Sequence, residues 1–520
     1  MKRNLLSVIA VFVCALSYGQ GEIDAYRYSN NDLSGTARGQ AMGGAFGALG
    51  GDVTGVAVNP AGIGVYRSSE VLANMSLSSP VTSGTSNQAS NTSFHFDNLS
   101  YVGYYPLVRG SMLTLNFGFN YSRIRSFNQK YGASRSSMNS SLTDYMALLT
   151  NGIKESDLQS ANSYNNPDIN WISLLGYDGY LINPVANNNY ESLLNAGEQV
   201  SPSLKVLEKG KVEAYDFTIG SNIANKFFWG ATLSIVDLSY WMSSNYDESF
   251  EAGGGFNLDN YLETKGSGLQ LKAGVIFSPV NAFRFGVAYH SPVWYSMTDY
   301  FKGLLIPRGI YIDGGSDMEA GLTSTPGDDS TNPNSPASLC YNFRTPGSWT
   351  LSAAAVLGTQ AIVSIDYEMK NYSSMNLQDD NGNEWSDVNN IIKSDYKNTS
   401  TLRAGLEFRF TPQFSGRLGY AWMQNPYQQN IRSLGEIVVP AGTVPHYTLS
   451  DCASYYTAGL GFRFTPQFYC DIAVVYRMQN NDLYYFPPKS DPSQTDKFDS
   501  FEGTSKDRTL KGLLTLGYRF

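Results

Sequence analysis

The sequence predicts an all-β transmembrane barrel of fourteen antiparallel strands, with a small helical or irregular N-terminal plug in its lumen. Three observations predict it: a charge-poor, aromatic-rich composition, period-two alternation, and a regular exchange of short and long connections. Charged residues make up 16 % of the 520 residues, against roughly 25 % in soluble domains. Aromatics reach 13 %, with 36 Tyr and 27 Phe, yet mean hydropathy is −0.25. After the first twenty residues no apolar run reaches the roughly 18 that a spanning helix needs. Such a chain is an extracellular all-β protein or a membrane barrel. The net charge of −9 argues against nucleic acid as a partner.

The N-terminus, "MKRNLLSVIAVFVCALSYGQ", reads as a signal peptide over 1–19. Lys2 and Arg3 are the basic end, Leu5 to Leu16 the apolar region, and Ser17-Tyr18-Gly19 a cleavage site before Gln20. Val13 stands before Cys14 where a lipidation signal would have a small residue. Cys340, Cys452 and Cys470 remain, an odd count without close spacing, and read as isolated thiols.

Alternation defines the strands. "FRFTPQF" occurs at Phe408 to Phe414 and again 54 residues later at Phe462 to Phe468. Before the first copy, Leu402, Ala404, Leu406 and Phe408 share one face and Arg403, Gly405, Glu407 and Arg409 the other. Pro412 and Pro466 suit tight turns. "FSPVNAF", "SNIANKFF", "LGTQA" and the looser "YYPLVRGS" mark further short turns. Strands are expected at 67–79, 92–105, 111–126, 210–221, 226–244, 259–278, 282–302, 340–357, 360–372, 390–411, 414–426, 446–465, 468–484 and 505–520. Six tight turns then alternate with seven long loops, of which 127–209 and 304–337 are the largest. A sandwich has no reason to segregate connections in this way. An outer-membrane barrel does, with short periplasmic turns, long external loops and an even strand number. The last strand alternates and ends on Phe520, which resembles the signal read by the barrel assembly machinery.

The segment "GTARGQAMGGAFGALGGDVTGVAVNPAGIGVYRSSE" resembles the N-terminal hatch of the FadL-type hydrophobic-compound transporters, including an Asn-Pro-Ala signature at Asn59, Pro60 and Ala61. "FRFGVAYHSPV", Phe283 to Val293, resembles a mid-barrel strand of that family. The resemblance implies a hatch over 20–66 and a barrel over 67–520. It also implies passive uptake of long-chain fatty acids or aromatic hydrocarbons, by hatch movement and lateral release into outer-membrane lipid. The long loops depart most from the family, so they leave the ligand's identity open.

His95, His290 and His446 fall on separate strands, with no metal-binding or Gly-x-Ser-x-Gly spacing, so neither enzyme nor cofactor is expected. Gly43, Gly47, Gly51 and Gly55 recur every four residues. No Lys lies between Lys2 and Lys130, which excludes a phosphate loop. Four interior Gly would each cost a membrane helix roughly 1 kcal/mol. The expectation is a plug segment with a smooth helical groove, and Asn59 capping a turn begun by Pro60. Parity turns Lys272, Arg284, Arg403, Arg409, Arg417, Arg463 and Arg477 toward the lumen. Of these, Arg284, Arg403, Arg409 and Arg463 are candidates for a ligand carboxylate, although for any one of them an Arg–Glu network that holds wall and plug is the stronger reading. In the longest loop Leu142, Tyr145, Met146, Leu148 and Leu149 have near-helical spacing, and Trp171 opens a second apolar island. These either capture a hydrophobic ligand or pack on each other as a cap. The competing reading of the whole chain is a plugged scaffold barrel whose loops bind an envelope-protein partner.

Overall fold

Alternating segments pair in chain order and close on themselves. The structure is a computed structural model. It describes residues 21–520 apart from 84–88, 91, 108–109, 167, 312–318, 329–331, 333–334, 429–430, 432–441, 491–496 and 499. The expected signal peptide at 1–19 lies outside the described residues.

The barrel strands are β1 (Glu70–Ser83), β2 (Ser93–Pro106), β3 (Met112–Ser126), β4 (Val200–Ile223), β5 (Phe227–Phe250), β6 (Gly255–Val280), β7 in two pieces (Phe283–His290 and Trp294–Arg308), β8 in two pieces (Ala337–Arg344 and Ser348–Leu357), β9 (Ala361–Asn371), β10 (Asn398–Arg409), β11 (Phe414–Met423), β12 (Tyr447–Arg463), β13 (Phe468–Tyr484) and β14 (Phe501–Arg519). Each pairs antiparallel with the next. β14 returns to β1 in unbroken register from Glu70↔Arg519 to Ser83↔Lys506. Fourteen strands close the wall, as the alternation predicts.

The parity has a physical consequence at the membrane edge. On β5, outward-facing Leu233 and Ile235 give way to Asp237 and Ser239, which lipid would not accept. On β6, Leu269, Leu271, Val275 and Phe277 face outward below Ser267 and Lys265. β4, β5 and β6 run for 24, 24 and 26 residues, where roughly 9–11 suffice to span a bilayer. Their upper halves therefore stand above the membrane and carry a cap.

That cap replaces much of the expected loop 127–209. β4 begins at Val200, and Gln129–Ser134 extends the sheet against it. Helices Leu142–Thr150 and Trp171–Asp178 and a hairpin of Ile182–Val185 with Asn189–Ser192 fill the rest. A second correction concerns the strand expected at 390–411. Its first residues belong to a helix, Ser386–Asp395, because Val388 and Ile392 lie four apart and bury together.

The third correction is in the wall. The strands expected over 282–302 and 340–357 are each interrupted, at Ser291–Val293 and at Thr345–Gly347. Pro292 and Pro346 cannot donate to a ladder. The two interruptions lie side by side, since His290 pairs with Ser348 below and Trp294 with Arg344 above.

The wall is thin where the plug touches it. A Cβ on Gly230 would lie 2.2 Å from the Pro60 carbonyl oxygen, whereas one on Gly512 would meet nothing within 4 Å. Gly230→Ala should destabilise the barrel by roughly 1–3 kcal/mol through overpacking, and Gly512→Ala should not. Thermal unfolding in detergent, read by heat-modified gel mobility, checks this; equal midpoints would refute the contact.

Candidate functional site

The N-terminal chain threads the lumen from the long-loop end to the short-turn end. Helix Glu22–Ser29 is uppermost. Tyr396 donates its hydroxyl to the Glu22 carbonyl at 2.9 Å. Ile23, Tyr26 and Tyr28 belong to the same apolar core as Leu142, Met146 and Leu174 of the cap and Phe486 of the β13–β14 connection. The chain then descends through Thr36 to Tyr66 and enters β1 at the opposite rim.

The lower plug consists of helices Ala37–Ala41 and Val53–Val58, a turn-rich stretch between them, and a 3-10 turn over Pro60–Val65. The smooth helical groove expected of Gly43, Gly47, Gly51 and Gly55 does not form. Gly43 and Gly51 have φ of +63° and +67°, so they sit in turns that L side chains rarely adopt. Gly47 and Gly55 serve close approach instead. The spacing of four arises from two successive turns. Asn59 accepts from the Ala61 N–H at 3.1 Å and so caps the turn begun by Pro60. Its amide also donates to Gly47 (2.8 Å) and to Val275 of β6 (3.2 Å).

Wall side chains tie the plug down. One Asp366 oxygen accepts from the Phe46 and Gly47 N–H groups, each at 2.9 Å. Thr457 accepts from Gly43 N–H at 3.1 Å and donates to the Ala41 carbonyl at 2.9 Å. Arg38 makes a two-pronged contact with Glu407 at 2.8 and 3.1 Å. His290 bonds the Val58 carbonyl at 3.0 Å.

This layer divides the lumen. Above it lies a cavity of about 160 Å³. Its roof is Tyr28–Gly35; its floor includes Gly44, Val53 and Val58; its side includes Lys272, His290, Val293, Tyr295, Thr345 and Pro346. Two ion pairs line it: Lys272 with Asp216 at 3.0 Å, and Arg403 with Glu368. Below the layer lies a vestibule of about 290 Å³, open at the short-turn rim and bordered by Arg38, Arg284, Arg409, Arg417, Arg463 and Arg519. On the lipid side of the interrupted wall is a groove of about 600 Å³, lined by Leu269, Trp294, Tyr295, Phe343 and Arg344. Tyr295 lines both this groove and the central cavity. Its ring stacks on Phe343, with centroids 6.4 Å apart and planes at 6°.

The candidates named from sequence separate into three places. Arg403 borders the central cavity, while Arg284, Arg409 and Arg463 border the vestibule. Leu142 and Met146 are fully buried in the cap, and Tyr145, Leu149 and Trp171 are half-buried. The loop's apolar residues thus form a packed cap rather than an open patch. Sequence reading missed Asp366, Glu368, Glu248 and the paired prolines. Only Pro292 and Pro346 left a signal, as prolines inside alternating runs.

Glu248, at the top of β5 above the membrane, anchors the cap. Its carboxylate accepts from the Leu142 N–H at 3.2 Å, from Tyr246 at 2.5 Å and from Ser141, the residue that begins helix Leu142–Thr150. Burial pushes this carboxyl up to about 7, and the hydrogen bonds from Ser141, Tyr246 and Leu142 only partly oppose it. Asp144 adds repulsion in the same direction as burial.

A closed fourteen-stranded barrel with lipid-facing apolar bands and an internal plug is an outer-membrane protein. The model of the family described as outer membrane protein transport protein (OMPP1/FadL/TodX) matches residues 222–502, more than half of the chain, and the chain belongs to that family. A Pseudomonas aeruginosa FadL homologue of known crystal structure covers 94 % of this chain and 99 % of its own, at 14 % identity and a TM-score of 0.53; the fold is shared. The CymD monoaromatic hydrocarbon channel aligns at 12 % identity over 94 % of this chain and 98 % of its own, with a TM-score of 0.47. The Pseudomonas putida toluene transporter TodX aligns at 11 % identity over 94 % and 99 %, with a TM-score of 0.45. No curated protein matches the chain in sequence.

Two measurements test the ties just described. Asp366→Ala leaves the Gly47 N–H buried without an acceptor, at roughly 1–3 kcal/mol, while the Phe46 N–H keeps the Gly44 carbonyl at 2.9 Å. Hydrogen exchange of 43–50 should accelerate accordingly, with the barrel strands unaffected; unchanged protection would refute the tie. For Glu248, the folded pKa lies above the unfolded one, so its contribution is complete below the ordinary carboxyl range and is lost as pH rises through about 7. Exchange protection of 142–150, corrected for intrinsic rates, should fall between about pH 5 and about pH 8. Glu248→Gln should flatten that slope, and an unaltered slope would assign it elsewhere.

Proposed function

We propose that this protein carries small hydrophobic or amphipathic compounds inward across the outer face of the membrane, without an energy source, and releases them sideways into the bilayer. The observation that carries the reading is the interrupted wall between β7 and β8. The central cavity reaches Val293, Thr345 and Pro346 from inside, the lipid-side groove reaches Leu269 and Trp294 from outside, and Tyr295 stands between. The interruption is level with Leu269 and Leu271 of β6, inside the apolar band. Across it β7 and β8 are joined by Val293 N–H to the Thr345 hydroxyl at 2.9 Å and by Thr345 N–H to the Val293 carbonyl at 3.1 Å. Parting these residues and turning Tyr295 would join cavity and groove.

On this route a ligand enters past Tyr145, Leu149 and Trp171 of the cap, displaces the upper plug and meets Arg403, where a carboxylate would compete with Glu368. The Asn59-Pro60-Ala61 turn and the Gly43–Gly55 stretch lie beneath and gate the way to the periplasm. Family membership supports the transport class, and the name of TodX supports an aromatic hydrocarbon as one ligand type. Exposed Phe520, ending β14, supports recognition by the barrel assembly machinery.

A second reading, a sealed scaffold for an envelope partner, is favoured by the buried cap residues Leu142 and Met146. One experiment separates the two. In a background with Cys340, Cys452 and Cys470 replaced by Ser, Val293→Cys and Thr345→Cys should form a disulfide across the interruption. Uptake of labelled long-chain fatty acid or toluene by cells should fall several-fold when oxidised and recover on reduction. Uptake that ignores the lock overturns the lateral route; absence of uptake in the parent supports the scaffold.

A further inference from the structure

The repeated "FRFTPQF" has no part in the lateral route. Three alternate strands end in the same way: β10 in Phe408-Arg409-Phe410, β12 in Phe462-Arg463-Phe464, and β14 in Tyr518-Arg519-Phe520. Each arginine donates its backbone N–H to a glutamine carbonyl in the neighbouring turn, Arg409 to Gln360 at 2.7 Å, Arg463 to Gln413 at 2.9 Å and Arg519 to Gln467 at 2.9 Å. The flanking rings face lipid, and all three guanidinium groups border the vestibule under the plug. Strands two apart place neighbouring arginines roughly 10 Å from one another along the rim. Arg284 and Arg38 approach the same space from β7 and from the plug.

The carboxylates there do not balance these cations. Glu407 is taken by Arg38 and Arg417, Asp471 by Arg417 at 2.5 Å, and Glu70 by Arg519 at 2.7 Å. Asp52 accepts from Thr36 and from the Thr54 N–H, capping its own helix. Among the described residues, Arg409 and Arg463 have no carboxylate partner. Arg284 bonds only the Leu49 carbonyl, at 2.6 Å, and its Nε is buried without a partner. Like charges gathered at a partly enclosed site raise the energy of the empty state and favour a multiply charged anion.

We infer that the periplasmic vestibule binds a phosphate-bearing group between plug and wall. Arginine forks match phosphate oxygens in pairs. Three arginines without acidic partners call for more charge than one carboxylate carries. The group is either a free phosphate ester or the headgroup of a phospholipid at the inner-leaflet rim. An occupant contacts Arg38 and the Leu49–Asp52 turn on one side and Arg409 and Arg463 on the other, so it clamps the lower plug. The inference rests on the vestibule alone and needs no uptake to be tested.

The test uses the full chain in an uncharged detergent at low salt. Inorganic phosphate is titrated by calorimetry, and phosphatidylglycerol is added in mixed micelles in a second arm, with hydrogen exchange of 43–64 followed in both. Saturable phosphate binding that protects 43–64, weakened about tenfold or more in Arg409→Gln/Arg463→Gln, is expected. Arg135→Gln, which removes an arginine from the opposite end, should leave it unchanged. Protection by phosphatidylglycerol alone assigns the site to a headgroup, and protection by phosphate without protection by phosphatidylglycerol assigns it to a soluble ester. Absence of saturable binding in both arms, or equal binding by the double variant and the parent, overturns the inference. Should the double variant fold poorly, Arg409→Gln alone, whose side chain is exposed, carries the same comparison.

Discussion

The rest of the structure depends on one constraint: inside lipid, every backbone N–H and C=O must find a partner within the protein. β1 and β14 meet that constraint by pairing from Glu70↔Arg519 to Ser83↔Lys506. Closure with fourteen strands has a cost in space. An eight-stranded barrel fills its interior with side chains, and a wider one leaves a lumen. This lumen is filled by backbone. A backbone segment carries polar groups that also need partners, which accounts for Asp366, Thr457 and Asn116 pointing inward at the plug. It also needs room, which accounts for glycine on both surfaces. Gly419 and Gly43 come together so closely that a Cβ on Gly419 would lie 2.2 Å from the Gly43 nitrogen.

The same filling joins parts that the topology keeps separate. The cap is built from the connection between β3 and β4, and the plug from the N-terminus, yet helix Glu22–Ser29 places them in one apolar core. Tyr26 packs on Tyr372, Tyr396 and Tyr427 with ring centroids 5.1, 5.8 and 5.6 Å apart. A shift of the cap cannot occur without repacking the top of the plug. The bottom of the plug is held differently, by hydrogen bonds and ion pairs to β9, β10 and β12. The upper plug shares the apolar core of the cap, with hydrogen bonds from Tyr396 and to Thr264 beside it, and the lower plug adds ion pairs and backbone-directed wall side chains to its own apolar contacts.

The sequence made the wall legible because the wall obeys a local rule. In "TLRAGLEFRF" each residue's side is fixed by parity, and Leu402, Leu406 and Phe408 do face lipid while Arg403 and Glu407 face the lumen. The plug obeys no such rule. Its glycine spacing suggested a helix, and positive φ at Gly43 and Gly51 makes turns of it. The cap was legible in composition but not in outcome, since helical spacing at Leu142 and Met146 is the same whether the face meets solvent or a partner. The key partners were hidden by distance. Asp366 lies 320 residues from Phe46, and Glu248 lies 106 from Leu142. No local pattern encodes contacts of that kind. Pro292 and Pro346 were visible one at a time; that they fall level on adjacent strands follows only from the register.

The position of the interruption bears on what the plug is for. Were the plug a gate across the whole path, the route from outside would have to end below it. The interruption instead opens onto the cavity between Tyr28–Gly35 and the lower layer. On the proposed lateral route a compound leaving there would pass the upper plug and would not reach the Asn59–Ala61 turn. The lower layer can then remain sealed throughout, with Asn59 bonded to Gly47 and Val275. Such a division keeps an apolar compound out of the arginine-rich vestibule, where it would have to displace water from unpaired charges at high cost. On the proposed route it would also keep the periplasm closed to ions while the upper wall parts. The charged lining of the central cavity fits this view. Lys272–Asp216 and Arg403–Glu368 are already paired, so they offer an apolar compound little to bind and give it every reason to move on into lipid.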